Sequence, residues 1–231
     1  MIKPVAVIFG VGSGLSASLA RLCAIQNMAV ALAARNVDKL SALAAETGAR
    51  VFACDVAQAD SVQTIFRTVE AEMGPCALVV FNASQRYRAP VCELEAEKVR
   101  QALLVGAYGG FLVGQGAARV MLPRKSGSIF FTGATASVKG SSGSAPFAMQ
   151  KFALRGLAQS LARELQPQGL HIAHFVIDGG IATTFAKPNE LGPPDKWLDP
   201  DAIAQSYLDV HRQHRSAWST EVELRPWVEA F

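Results

Sequence analysis

The chain of 231 residues is sparing in charge: 18% of it is Asp, Glu, Lys or Arg, and the formal net charge is only +3. No basic run is longer than Arg124-Lys125, so the electrostatic footprint of a nucleic-acid binder is missing. Cysteine is scarce as well. Cys23, Cys54, Cys76 and Cys92 show no metal-like spacing and fall in apolar or helical contexts, which points to reduced structural thiols in a cytoplasmic protein and requires no disulfide. Half of the residues are hydrophobic, yet charges interrupt each long apolar run, and none reaches the about 18 consecutive apolar residues of a membrane span. The apolar start from Met1 to Leu15 has a poor basic region in Lys3-Pro4 and reads as mature structure, not as a signal peptide. Histidine offers no metal site: His171 and His174 alternate faces on a strand, and His211 and His214 share a basic helix face.

What the chain does have is alternation. Strand-length apolar runs occur at Val5 to Phe9, Ala29 to Ala33, Val51 to Ala53, Ala77 to Phe81, Ser128 to Phe131 and His171 to Ile177. Helical spacing of apolar residues fills the intervals from Leu15 to Gln26, Val37 to Glu46, Ser61 to Glu72, Glu95 to Met121 and Phe147 to Leu165. Strand and helix in turn imply parallel strands joined by right-handed crossovers, a doubly wound α/β sheet covered on both faces. The length suits one such domain over 1–231. After Ile181 the pattern gives way to a Pro/Gly-rich stretch, a helix from about Asp201 to His214 and a short strand at Glu221 to Leu224, so 182–215 is expected to cover the crevice as a lid.

The first strand runs into Gly10-Val11-Gly12-Ser13-Gly14-Leu15 and then a helix. Gly10 suits a tight turn, and Gly12 and Gly14 lack the Cβ that would keep a pyrophosphate away from backbone N–H groups at the helix start. A dinucleotide is the expected ligand. Past the second strand stands Ala34-Arg35-Asn36, where an acidic residue would favour NAD(H) by binding the ribose 2′-OH. Arg35 instead offers a guanidinium to a 2′-phosphate, so NADP(H) is favoured over NAD(H).

Further segments fall in register with the short-chain dehydrogenase/reductase family. Gly10-x-x-x-Gly14 resembles its first turn, Cys54-Asp55-Val56 its adenine-contacting Asp, and Asn82-Ala83-Ser84 a worn version of its Asn-Asn-Ala-Gly turn. Phe147-x-x-x-Lys151 is similar to its Tyr-x-x-x-Lys, and Asp178-Gly179-Gly180-Ile181-Ala182-Thr183 to its Pro-Gly-x-Ile-x-Thr nicotinamide turn. The resemblance implies a Rossmann fold, a homodimer or homotetramer formed through the helices after strands four and five, and a small-molecule carbonyl or alcohol as substrate. It also implies cofactor contacts at Gly10, Gly12, Ser13, Gly14, Leu15, Arg35, Asn36, Asp55, Val56, Asn82, Ala83, Ser84, Lys151, Gly179, Ile181 and Thr183.

The same register exposes departures from the family's catalytic set. Lys151 is kept, but Phe147 occupies the Tyr position, Ala134 the Ser position by ungapped counting, and Gly106 the Asn position. Phenylalanine moves no proton, so Thr135, Ser144 and Tyr108 become candidate donors, with Thr135 foremost. Arg86 and Arg88, just beyond Asn82, lie near the expected crevice and suit either of two roles, contact with an acidic substrate or plain surface charge. The leading expectation is an NADP(H)-dependent oxidoreductase with a degenerate catalytic set; the alternative is a non-catalytic NADP(H)-binding protein.

Overall fold

The computed structural model describes residues 3–182 and 195–229. Seven strands form one parallel sheet: β1 (Val5–Phe9), β2 (Ala29–Ala34), β3 (Arg50–Ala53), β4 (Cys76–Phe81), β5 (Ser128–Thr132), β6 (His171–Ile177) and β7 (Glu221–Leu224). Their order is β3-β2-β1-β4-β5-β6-β7. The central strands are apolar on both faces, as a sheet covered by helices on each side requires. β1 pairs with β2 on one side and with β4 on the other. The chain therefore reverses its direction of travel across the sheet at β1, and a crevice opens at the carboxyl ends of β1 and β4.

Successive residues of β1 feed two cores. Val5, Val7 and Phe9 face α3 (Ala59–Glu72), α5 (Gly109–Met121) and α6 (Ala145–Leu165), while Ala6 and Ile8 face α1 (Leu15–Ile25) and α7 (Pro200–His211). Phe9 meets Phe66 of α3 with ring centroids 5.5 Å apart. On the opposite face Tyr207 of α7 is fully buried, stacks on Phe175 at 3.6 Å and shares a 2.9 Å hydrogen bond with Thr132. Burying an aromatic ring of this size contributes about 1.5–3 kcal/mol, and the shared bond keeps its hydroxyl from being stranded.

Several elements differ from their sequence signals. The pattern from Val37 to Glu46 divides into a short 3-10 turn and α2 (Ser41–Thr47), which Gly48 ends in the left-handed region. The stretch read as one helix over Glu95 to Met121 is α4 (Ala96–Leu103), a π-turn over Leu104–Tyr108, and α5. The small residues of α5 serve internal packing, with Leu154 and Phe66 filling the space over Gly110 and Gly116. Of the expected lid, residues 183–194 lie outside the described residues. From Pro200 on the chain is α7, whose Ile203, Ala204 and Leu208 are buried. His214 falls beyond α7 and does not share its face with His211; its side chain caps the turn Arg215–Ala217. Cys92, read as a packed thiol, is exposed, while Cys23, Cys54 and Cys76 are buried.

The glycine within the π-turn has a packing reason. Gln150 of α6 fills the space beside Gly106: a Cβ added there would lie 2.0 Å from Gln150 Oε1 and 2.9 Å from Gln150 Cβ. Overpacking costs about 1–3 kcal/mol, more than the about 1 kcal/mol Ala gains over Gly in a helix. Gly106→Ala is therefore expected to lower the urea midpoint without changing its slope, and to cost less in a Gln150→Ala background, where the amide is gone and only the Cβ at 2.9 Å remains. An equal loss in both backgrounds contradicts this packing.

Candidate active site

The turn after β1 is tied from both sides. Gly10 has a φ of +80°, and a Cβ there would meet the Ala83 backbone at 2.4 Å, so the segment leaving β4 lies directly against it. Asn82 N donates to the Phe9 carbonyl at 2.9 Å, and Asn82 Nδ2 donates to Ser16 Oγ at 2.6 Å. Ser16 Oγ in turn donates to the Gly10 carbonyl. Beyond the turn, α1 starts with Gly14 as its N-cap, without a side-chain cap and without an acidic residue in its first turn. Its first N–H groups and the positive end of its dipole are thus free to meet an anion.

The cleft in front of this turn has a volume of about 1030 Å³. It brings together ten of the expected cofactor residues: Gly10, Gly12, Ser13, Arg35, Asn36, Asp55, Val56, Asn82, Ala83 and Ser84. Gly14, Leu15, Lys151, Gly179 and Ile181 lie outside its walls, and Thr183 lies outside the described residues. Arg35, at the end of β2, is exposed and pairs with no carboxylate among the described residues. Asp55 spends one oxygen on the Ala57 N–H at 3.0 Å, and its own N–H donates to Ser61 Oγ. The second carboxylate oxygen is left to the cleft.

At the carboxyl ends of β5 and β6 stands a second group of side chains. Lys151 of α6 is buried and donates from Nζ to the Thr132 carbonyl at 2.7 Å. Burial first, and the nearby Arg86 charge second, push its pKa down to about 7. Phe147, one helical turn earlier, presents its ring 5.8 Å from Lys151 Nζ and 5.1 Å from the Arg86 guanidinium carbon. His174, beneath Lys151, is pushed down to about 4 by burial despite Glu221 Oε2 at 3.5 Å, and is neutral at pH 7.

The candidate donors fare differently. Thr135 Oγ1 donates to Asp178 Oδ1 at 2.5 Å, and Asp178 Oδ2 pairs with Arg225 at 2.5 Å. Ser144 is buried and accepts from Arg88 Nε at 2.8 Å. Tyr108 is largely exposed and stacks on Phe111 at 6.1 Å. Of the two cations over the Phe147 ring, Lys151 is the one with a pKa lowered into the neutral range. Sequence reasoning missed Gln150, which is fully buried and holds Gln85 through both ends of its amide. It also missed the grip of Asp178 on Thr135. The signal for the first was the pairing of a small residue at Gly106 with a long polar one beside Lys151; for the second, an Asp where the resemblance expects Pro.

Comparison with known proteins agrees with this geometry. A family model described as short chain dehydrogenase matches residues 4–192. A crystal structure of a short-chain dehydrogenase from Rhodopseudomonas palustris is similar with a TM-score of 0.84 and 34% identity, over 97% of this chain and 99% of that one. A metagenomic short-chain oxidoreductase in complex with NADP has a TM-score of 0.84 and 25% identity, over 97% of this chain and 98% of that one. D-threitol dehydrogenase of Mycolicibacterium smegmatis is 31% identical over 87% of this chain and 82% of its own length. The chain belongs to the short-chain dehydrogenase family.

Proposed function

We propose that the protein is an NADP(H)-dependent oxidoreductase acting on a small carbonyl or alcohol, with Phe147, Ala134 and Gly106 in place of the family's Tyr, Ser and Asn. The observation that carries the cofactor is the pairing of an uncapped helix N-terminus with an exposed, carboxylate-free Arg35 in one cleft. The residues present fit a dinucleotide phosphate. Open space above Gly12 lets backbone N–H groups approach a pyrophosphate, and nothing lies within 4 Å of a Cβ added there. Arg35 would pair with the 2′-phosphate, Asn36 and Asp55 would hold the adenosine end, and Gly179, Ile181 and Thr183 the nicotinamide end. Support for NADP also comes from the similar structure solved with it.

The bound cofactor supplies hydride transfer between its nicotinamide and a carbon of the substrate. This chain's residues must then supply or accept one proton at the substrate oxygen. Lys151 is fitted for that work, because a group whose pKa lies near the operating pH is populated in both protonation states. Its hydrogen bond to Thr132 fixes the direction of Nζ. Phe147 covers the ammonium with an apolar ring and keeps bulk water from its protons. Thr135, whose hydroxyl donates to Asp178, keeps its oxygen as an acceptor for a substrate hydroxyl. The whole chain, 1–231, serves as one cytoplasmic domain. The exposed Tyr108, Phe111, Met149 and Phe152 near and on α5 and α6 support a homodimer or homotetramer.

Calorimetry is expected to show NADPH binding more tightly than NADH. Arg35→Ala should erase about 10- to 100-fold of that preference, the size of a charge-assisted pair; equal affinities in the unaltered protein contradict the assignment.

A hydroxyl can also be returned to the site. Phe147→Tyr places a phenol beside Lys151, and its combination with Ala134→Ser is expected to oxidise NADPH faster with generic carbonyl substrates than either single variant. General acid catalysis is typically worth about 10² to 10⁴ in rate, and a partial return of about 10-fold suffices as the sign. Slower turnover by Phe147→Tyr than by the unaltered protein shows that a dedicated donor already operates. NADPH binding without turnover in every variant favours the non-catalytic alternative.

A further inference from the structure

Arg86 lies on the segment that leaves the carboxyl end of β4, and its guanidinium carbon stands over the Phe147 ring. Lys151 Nζ addresses the same ring. Two like charges are thus held near one another, and an anion beside them would relieve their repulsion. The protein supplies none: among the described residues no carboxylate pairs with Arg86, whereas Arg21, Arg50, Arg100, Arg124, Arg155 and Arg225 each hold one.

The segment that carries Arg86 is fixed on both sides of it. Gln85 N donates to Gln150 Oε1 at 3.3 Å, and Gln150 Nε2 donates to the Gln85 carbonyl at 2.7 Å. Arg88 is held by Ser144, and Ala89 N donates to the Gly143 carbonyl at 3.1 Å. Gln150 fits there because Gly106 has no side chain. The ordering cost of a binding residue is therefore met largely before any ligand arrives. A face-on aromatic ring also sets the plane of a guanidinium and leaves its N–H edge free for the two oxygens of a carboxylate.

We propose that Arg86 is the carboxylate-binding residue of the substrate site, and that the substrate is a short oxo acid or the corresponding hydroxy acid. The proposal rests on the oxidoreductase reading. In the reducing direction the carbonyl carbon gains a hydride from NADPH and the carbonyl oxygen gains a proton, giving a hydroxy acid and NADP⁺. The carboxylate passes through unchanged, paired with Arg86. Phe147 then has a task that needs no hydroxyl: it is the platform that orients Arg86 and screens Lys151.

The test is a matched series of short 2-, 3- and 4-oxo acids and their ethyl esters, assayed as NADPH oxidation. At least one acid is expected to exceed its ester in kcat/KM by about 10-fold or more, and Arg86→Ala should cut that acid-to-ester ratio by about 10- to 100-fold. Arg86→Lys should restore part of it, since charge is kept and the planar fork is lost. Esters reduced as well as acids, or a ratio that Arg86→Ala leaves alone, overturn the proposal. A second readout does not need turnover: calorimetric titration of the same acids into the protein with NADP⁺ supplied. Binding that Arg86→Ala weakens, without reduction of any acid, upholds the carboxylate site and rejects the oxidoreductase reading. Turnover of uncharged carbonyls with no binding of any acid does the reverse.

Discussion

The 2.7 Å hydrogen bond from Lys151 Nζ to the Thr132 carbonyl holds an ammonium group where burial disfavours its charge, and much of the site follows from that constraint. Lys151 reaches this place because α6 begins at Ala145 and lays its first turns across the carboxyl end of β5. No carboxylate relieves the charge. Glu221 is engaged by Arg155 through two hydrogen bonds, and its neighbour His174 stays neutral at pH 7. Aromatic cover by Phe147 and a second cation, Arg86, complete the surroundings. Such a group is costly to keep in a fold and serves a purpose when it must exchange protons near neutral pH.

Gly106 and Phe147, which the resemblance sets at two positions of the family's catalytic set, are linked through neighbouring residues. Gly106 leaves room for Gln150, Gln150 fixes Gln85, and the next residue, Arg86, stacks on Phe147. On the other side Asp178, where the resemblance expects Pro, accepts a hydrogen bond from the hydroxyl of Thr135, the neighbour of Ala134.

The parallel, doubly wound sheet was legible in the sequence because each central strand is a continuous apolar run bounded by turn residues, and because the strands alternate with amphipathic segments. That the first turn, Arg35 and Asp55 line one cleft was legible for a related reason: all sit just past strand ends, where local sequence fixes position. The rest of the site depends on tertiary contacts. Neither the π-turn over Leu104–Tyr108 nor the packing of Gln150 against Gly106 leaves a mark in the helical periodicity of that segment. The stacking of Arg86 and the lowered pKa of Lys151 arise from residues on different elements meeting over one ring. Thr135 was recognised as a hydroxyl beside Ala134, but its partner on β6's end was not, since pairing across a sheet leaves no mark in sequence spacing.

The central claim is that Lys151 is a buried amine poised near neutrality under Phe147 and Arg86. It is tested most directly by following the lysine Cε resonances by NMR across pH, with Lys151 assigned by its loss in Lys151→Met. The account predicts an inflection near about 7, well below lysine's ordinary 10.5. It also predicts an upward move in Arg86→Ala, because removing a like charge favours the ammonium form. An inflection near 10.5, or one indifferent to Arg86, would contradict it.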